Sequence, residues 1–220
     1  MPPFTGAEEP VPVDIGTLQV LEQVPGMKDF EEKFITELRS ILSKRERRVI
    51  EHPFFAHAAV LVPLFKKGKD CHLLFTKRTD QVKYHKGEIS FPGGMVDEAD
   101  SELEKTALLE AFEEIGLRDR DVQIIGFLDD IVTISQFIVT PIVGIFPYPY
   151  PFRISEMEIA ELIEVPLSSL LEKECFAERE IIRGGEQEIV YSYQYGEHVI
   201  WGATARILKQ LLDLISAPQE

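Results

Sequence analysis

The chain has 220 residues, with 23 Lys and Arg against 38 Asp and Glu, and a formal net charge of −15. At 45% hydrophobic and 28% charged residues it is not collagen-like, not a coiled coil and not disordered throughout. The acidic balance opposes non-specific binding to nucleic acid or to an anionic membrane surface, but leaves room for a small phosphate ligand held by a metal or a local basic pocket.

A chain this long buries roughly 70% of its unfolded surface, so it folds without a metal or a disulfide scaffold. Cys71 and Cys175 are too few for such a scaffold and read as reduced thiols of a cytoplasmic protein. Neither a basic-then-apolar leader nor an apolar run of about 20 residues is visible, so no membrane span is expected.

Residues 1–26 contain Pro2, Pro3, Pro10, Pro12 and Pro25 and read as an extended arm. In residues 28–47, Phe30, Phe34, Leu38 and Leu42 recur four apart among charged residues, which predicts an amphipathic helix. The expected division is an arm and helix over 1–49 and a main domain over 50–220. That first segment is compatible with packing on its own domain or with exchange across a homodimer.

Apolar runs at 57–65 and 71–77, separated by Lys66-Lys67-Gly68-Lys69-Asp70, predict a hairpin. A helix is expected over 101–116 and a strand over 122–128. Another strand is expected over 137–146, interrupted by Thr140-Pro141. A Pro- and Tyr-rich turn at 147–151 follows, in which Tyr148 and Tyr150 read as surface residues. Then come a strand over 160–165, a short helix over 167–171 and a second hairpin around Gly184-Gly185. A closing helix spans about 203–215, with Trp201 packing it into the core. Strands and helices mix without regular βαβ alternation, which predicts an α+β or α/β sandwich with a mixed sheet.

The chemistry concentrates in residues 91–117. Phe91-Pro92-Gly93-Gly94 is a rigid turn followed by flexible backbone, just ahead of a helix. With Ala107 at zero and about 100° per residue, Ala107, Leu108, Ala111 and Ile115 share one arc of about 100° and form the core stripe. Glu110, Glu113 and Glu114 fall together on another side. Like charges at that spacing destabilise a helix. A bridging cation would convert the repulsion into a binding site, and oxygen ligands with open positions suit Mg²⁺ or Mn²⁺.

This pattern resembles the Nudix box. The resemblance rests on Gly94, Glu110, Ala111, Glu113, Glu114, Gly116 and Leu117, and continues upstream through Thr76-x-Arg78, His85-x-Gly87-Glu88 and Phe91-Pro92-Gly93-Gly94. The upstream signature is similar to the coenzyme A pyrophosphatase branch, as are Val139-Thr140-Pro141, Val165-Pro166-Leu167 and the run from Ile200 to Arg206.

The resemblance implies a Nudix-like α/β/α sandwich with a mixed sheet and an N-terminal helical extension. It implies a cytoplasmic, Mg²⁺- or Mn²⁺-dependent pyrophosphohydrolase. That enzyme would cleave coenzyme A or its derivatives to 3′,5′-ADP and a phosphopantetheine product. ADP-ribose or another nucleoside diphosphate derivative is the alternative substrate, and a binding module with weakened turnover the alternative class. The implied metal ligands are Glu110 and Glu114 first, Glu113 next, and the carbonyl of Gly94. Glu158, Glu161 and Glu88 are candidates for the water-activating base. Arg78, Lys83, His85, Lys86, Gly93 and Gly94 are candidates for phosphate contacts. The chain departs from the box at Leu109, where the family has Arg, and at Asp100, where the family has an early Glu, with one extra residue between it and the helix acids.

Overall fold

A computed structural model describes residues 27–81, 85–96, 102–183 and 186–217. The proline-rich arm, Lys83, Asp100 and the Gly184-Gly185 turn lie outside the described residues. In chain order the helices are α1 (Met27–Lys44), α2 (Leu103–Ile115), α3 (Leu167–Leu170) and α4 (Gly202–Ser216). The strands are β1 (Ala56–Lys67), β2 (Asp70–Arg78), β3 (Ile89–Ser90), β4 (Gly93–Met95), β5 (Gln123–Phe127), β6 (Ile131–Val132), β7 (Phe137–Ile145), β8 (Ile159–Pro166), β9 (Phe176–Arg183), β10 (Glu186–Tyr195) and β11 (His198–Trp201).

The first eight strands make one mixed sheet ordered β3-β2-β1-β7-β5, with β4 also on β1, β6 on β7 and β8 on β2. The last three form a second, antiparallel sheet, β11-β10-β9. Strand alternation sends side chains of the main sheet into two cores. On one side Ala59, Leu61, Leu74 and Ile142 meet Ala107, Ala111 and Ile115 of α2. On the other, Val62, Phe75 and Val143 join a cluster with Leu38 and Leu42 of α1, Leu208 and Leu211 of α4, and Tyr193 and Ile200 of the second sheet. The result is the expected α/β/α sandwich. No helix among the described residues is long and apolar enough to cross a membrane.

Two elements differ from expectation. Thr140-Pro141 does not interrupt its strand: β7 runs unbroken and pairs in parallel with β1, Pro141 opposite Val60. Proline lacks a ladder donor, but its carbonyl still accepts the Leu128 N–H at 3.0 Å, beside a register shift in β5. Trp201 is 53% exposed, so Ile200 and Leu208, not the indole, close the core there. Tyr148 and Tyr150 are structural. Tyr148 stacks on Phe65, and the Tyr150 hydroxyl donates to Asp121 and accepts from the Arg118 N–H.

Helix α1 is fastened to the main body. Leu42 packs against Gly126, where a Cβ would come within 2.6 Å of the Leu42 Cβ. Beyond α1, Arg45 pairs with Asp129 and Arg47 with Asp130, whose carboxylate also accepts from Thr140 and from the Ile50 N–H.

Candidate active site

The loop from Phe91 to Met95 is built to bring backbone close to α2. Strand β4 pairs antiparallel with β1, placing Gly94 opposite Ala59 and Gly93 opposite Val60. A Cβ on Gly94 would fall within the carboxylate of Glu110, so the two residues lie in direct contact. The hydroxyl of Thr204, in the first turn of α4, donates to the Ile89 carbonyl at 3.1 Å and anchors β3 just upstream of this loop. Thr204 belongs to the Ile200–Arg206 run singled out in the sequence, but its anchoring role becomes visible only in three dimensions.

Helix α2 presents its acids unequally. Glu114 is 3% exposed, Glu110 half-buried and Glu113 exposed. The helix ends at Gly116 with φ of 71°, whose N–H donates to the Phe112 carbonyl at 2.9 Å. Arg78, at the end of β2, faces this acidic group. Its guanidinium lies 3.5 Å from Glu114 and 3.9 Å from Glu158. A register shift between Lys77 and Arg78 in the β2–β8 ladder accompanies this placement, and the Thr79 N–H donates to the Glu158 carbonyl at 2.8 Å. The Arg78 N–H donates to the Glu88 carbonyl at 3.0 Å, tying the His85–Glu88 turn to the same corner.

The structure thus gathers Arg78, Gly93, Gly94, Glu110, Glu114 and Glu158. Glu161 lies elsewhere. It shares strand parity with Ile163 and Val165, which face the α4 side, and it approaches Lys77 at 3.7 Å and His198 at 3.6 Å. His198 carried no signal in the sequence. His85 is engaged with Glu88 at 2.8 Å, and Lys86 is exposed on the same turn. Leu109 is 48% exposed, in keeping with its place at about 200° on the wheel.

Two buried polar atoms in this group have no hydrogen-bond partner: Glu114 Oε2 and Arg78 Nε. Such orphans are uncommon and call for an explanation. Burial, reinforced by the Glu110 and Glu158 carboxylates, pushes Glu114 up to about 8 against the pull of Arg78 and the Gly93 N–H. Burial also raises Glu110, with Glu113 and Glu158 adding to the effect. A cation against Glu110 and Glu114 would relieve both, and the donors are all hard oxygens. Among the described residues no three acidic, His or Cys side chains form a metal cluster by themselves. Such a donor set would suit a divalent ion that takes water and phosphate oxygens for the rest of its shell.

A pH dependence follows. A carboxyl held above its ordinary value of 4.5 favours the folded state while protonated; for Glu114 that contribution is full below about 4.5 and is lost as pH rises through about 8. The metal-free protein is expected to melt at lower temperature at pH 9 than at pH 6, and Glu114→Gln should flatten that difference. Calorimetry in chelator checks it; equal slopes for the two proteins would contradict it.

Comparison with known proteins agrees with this geometry. The family model for the NUDIX domain matches residues 55–183. A relative from Photorhabdus laumondii subsp. laumondii, named as the uncharacterized Nudix hydrolase NudL, is 40% identical over 155 residues, covering 70% of this chain and 82% of the relative. The chain belongs to the Nudix family. The NudL of Enterobacter sp. (strain 638) is 36% identical over 178 residues, 81% of this chain and 91% of that one. A MutT/nudix family protein from Enterococcus faecalis shares the Nudix fold at a TM-score of 0.50 and 12% identity, over 92% of this chain and 74% of that one. The chain is a Nudix-type pyrophosphohydrolase for small nucleotide-derived substrates.

Proposed function

We propose that this Nudix hydrolase cleaves the diphosphate bridge of coenzyme A or its derivatives, giving 3′,5′-ADP and (acyl-)4′-phosphopantetheine. The observation that carries the reading is the joining of the upstream signature to the box. Thr76 pairs with Ser90, Arg78 donates to Glu88 and reaches Glu114, and Gly94 lies against Glu110. In this reading residues 50–220 form the hydrolase domain and residues 1–49 an extension whose helix α1 braces β5.

Glu110, Glu114 and the Gly94 carbonyl would hold Mg²⁺ or Mn²⁺, with exposed Glu113 at the margin. When bound, the ion neutralises phosphate charge and lowers the pKa of a bound water. Arg78, with its unpartnered Nε, offers a donor to a phosphate oxygen. Glu158, beside Arg78 and the two helix acids, is better placed than Glu161 to take the proton of the attacking water. The water oxygen bonds to one phosphorus, the bridging P–O bond breaks, and the bridging oxygen leaves with the other phosphate.

An equimolar competition between coenzyme A and ADP-ribose tests substrate choice. The proposal expects 3′,5′-ADP to accumulate faster than AMP; the reverse order would favour ADP-ribose. Leu109→Arg is expected to raise turnover by up to ~10-fold, because outer partners of metal ligands typically contribute ~10–100-fold. An unchanged or lower kcat would mean that the site is organised around Leu109.

A further inference from the structure

We propose that the chain carries a second anion site, for a small phosphate monoester, in a cavity between α4, the loop before β6 and the segment following α1. The cavity has a volume of about 280 Å³, and its lining includes the cations Arg48, Arg206 and Lys209 and the carboxylates Asp129, Asp130 and Asp213. Helix α4 packs on the face of the main sheet opposite α2, so this cavity and the Glu110–Glu114 group lie on different sides of the sheet.

The lining cations and carboxylates are equal in number, but two of the carboxylates are paired with Arg45 and Arg47 from outside the cavity, which leaves a positive remainder. Asp129 pairs with Arg45, Asp130 pairs with Arg47 at 2.7 Å, and Asp213 pairs with Lys209 at 2.7 Å. Those three carboxylates are thereby matched. Arg48 and Arg206 are left over. Arg206 donates one guanidinium N–H to the Val132 carbonyl at 2.7 Å, and Arg48 is held through its backbone by Asp129 and Asp130. Among the described residues neither guanidinium has an ion-pair partner. Two unmatched cations line one cavity in a chain of net charge −15.

Guanidinium forks match phosphate oxygens in geometry, and a phosphate monoester carries about −1.5 to −2 charge at neutral pH, which balances the pair. Lys209 is fixed beside them, over the Tyr191 ring at 5.5 Å and the Phe176 ring at 5.9 Å. Small-molecule sites usually occupy ~300–1,000 Å³. At about 280 Å³ the cavity lies at the small end of that range, which suits a small phosphorylated metabolite.

Isothermal titration of the full chain with glycerol 3-phosphate, in chelator, tests this. One binding event is expected, weakened ~10-fold or more by Arg48→Ala and by Arg206→Gln, which keeps a donor for Val132. Glu114→Gln should leave it unchanged. Absence of binding, undiminished binding in both arginine variants, or an equal loss in Glu114→Gln would overturn the proposal. Equal affinity for malate would overturn its selectivity for phosphate.

Discussion

Glu114→Gln is expected to lower metal-dependent turnover by at least ~100-fold while the protein stays folded. Loss of a residue that merely orients a metal ligand already costs ~10–100-fold, and Glu114 is proposed as a ligand itself. The substitution keeps shape and volume, so the packing of α2 against β1 is retained. It removes a carboxyl that is 3% exposed and has one oxygen without a partner. An uncompensated buried charge is costly, so the variant should be as stable as the parent without metal, and more stable at alkaline pH. Steady-state kinetics beside a melting curve separate the two effects. Near-normal turnover in a folded variant would remove Glu114 from the metal site.

Gly94→Ala and Gly93→Ala are expected to fail differently, although they are neighbours. At Gly94 an added Cβ meets the carboxylate end of Glu110, a group that can swing away. The chain should tolerate this with little loss of stability, but Glu110 would be displaced. Misplacement of a reacting group by about 1 Å can cost ~100-fold, and a loss of that order in kcat is expected. At Gly93 the added Cβ meets backbone: the Ala59 carbonyl oxygen, and the Val60 Cα at 2.6 Å. Neither can move unless β4 separates from β1. Overpacking of this kind typically costs ~1–3 kcal/mol, so Gly93→Ala should lose stability as well as activity. Melting temperatures and kcat measured on both variants check the contrast. Equal stability losses would contradict it.

How much of this was legible in the sequence depended on the range of the physics involved. Helix α2 followed from local periodicity, and Ala107, Ala111 and Ile115 face the core as their spacing requires. Long strands flanked by turn residues, such as β1 and β2, were equally legible. Strands β3, β4 and β6, with two or three residues each, carry too short a pattern to be seen. Pro141 looked like a break because proline usually marks strand edges; its tolerance depends on what β1 and Leu128 do on either side. The three helix glutamates share one side of the wheel, and the order in which the resemblance ranks them, Glu110 and Glu114 before Glu113, matches their burial, whose depth is set by the neighbouring sheet. Glu158 and Glu161 looked interchangeable as well. The register of β8 on β2 sends Glu161 toward His198, while Glu158, just before the strand, stays beside Arg78. The large apolar area of Trp201 suggests a core residue, but strand alternation places its neighbour Ile200 there instead.

The most direct test of the proposed coenzyme A chemistry is chromatographic detection of 3′,5′-ADP after incubation of the purified protein with coenzyme A. The reaction would be run with Mg²⁺, with Mn²⁺ and with chelator. The account predicts release of 3′,5′-ADP and 4′-phosphopantetheine with either ion and none with chelator. Release of AMP from ADP-ribose under the same conditions, with coenzyme A left intact, would contradict it.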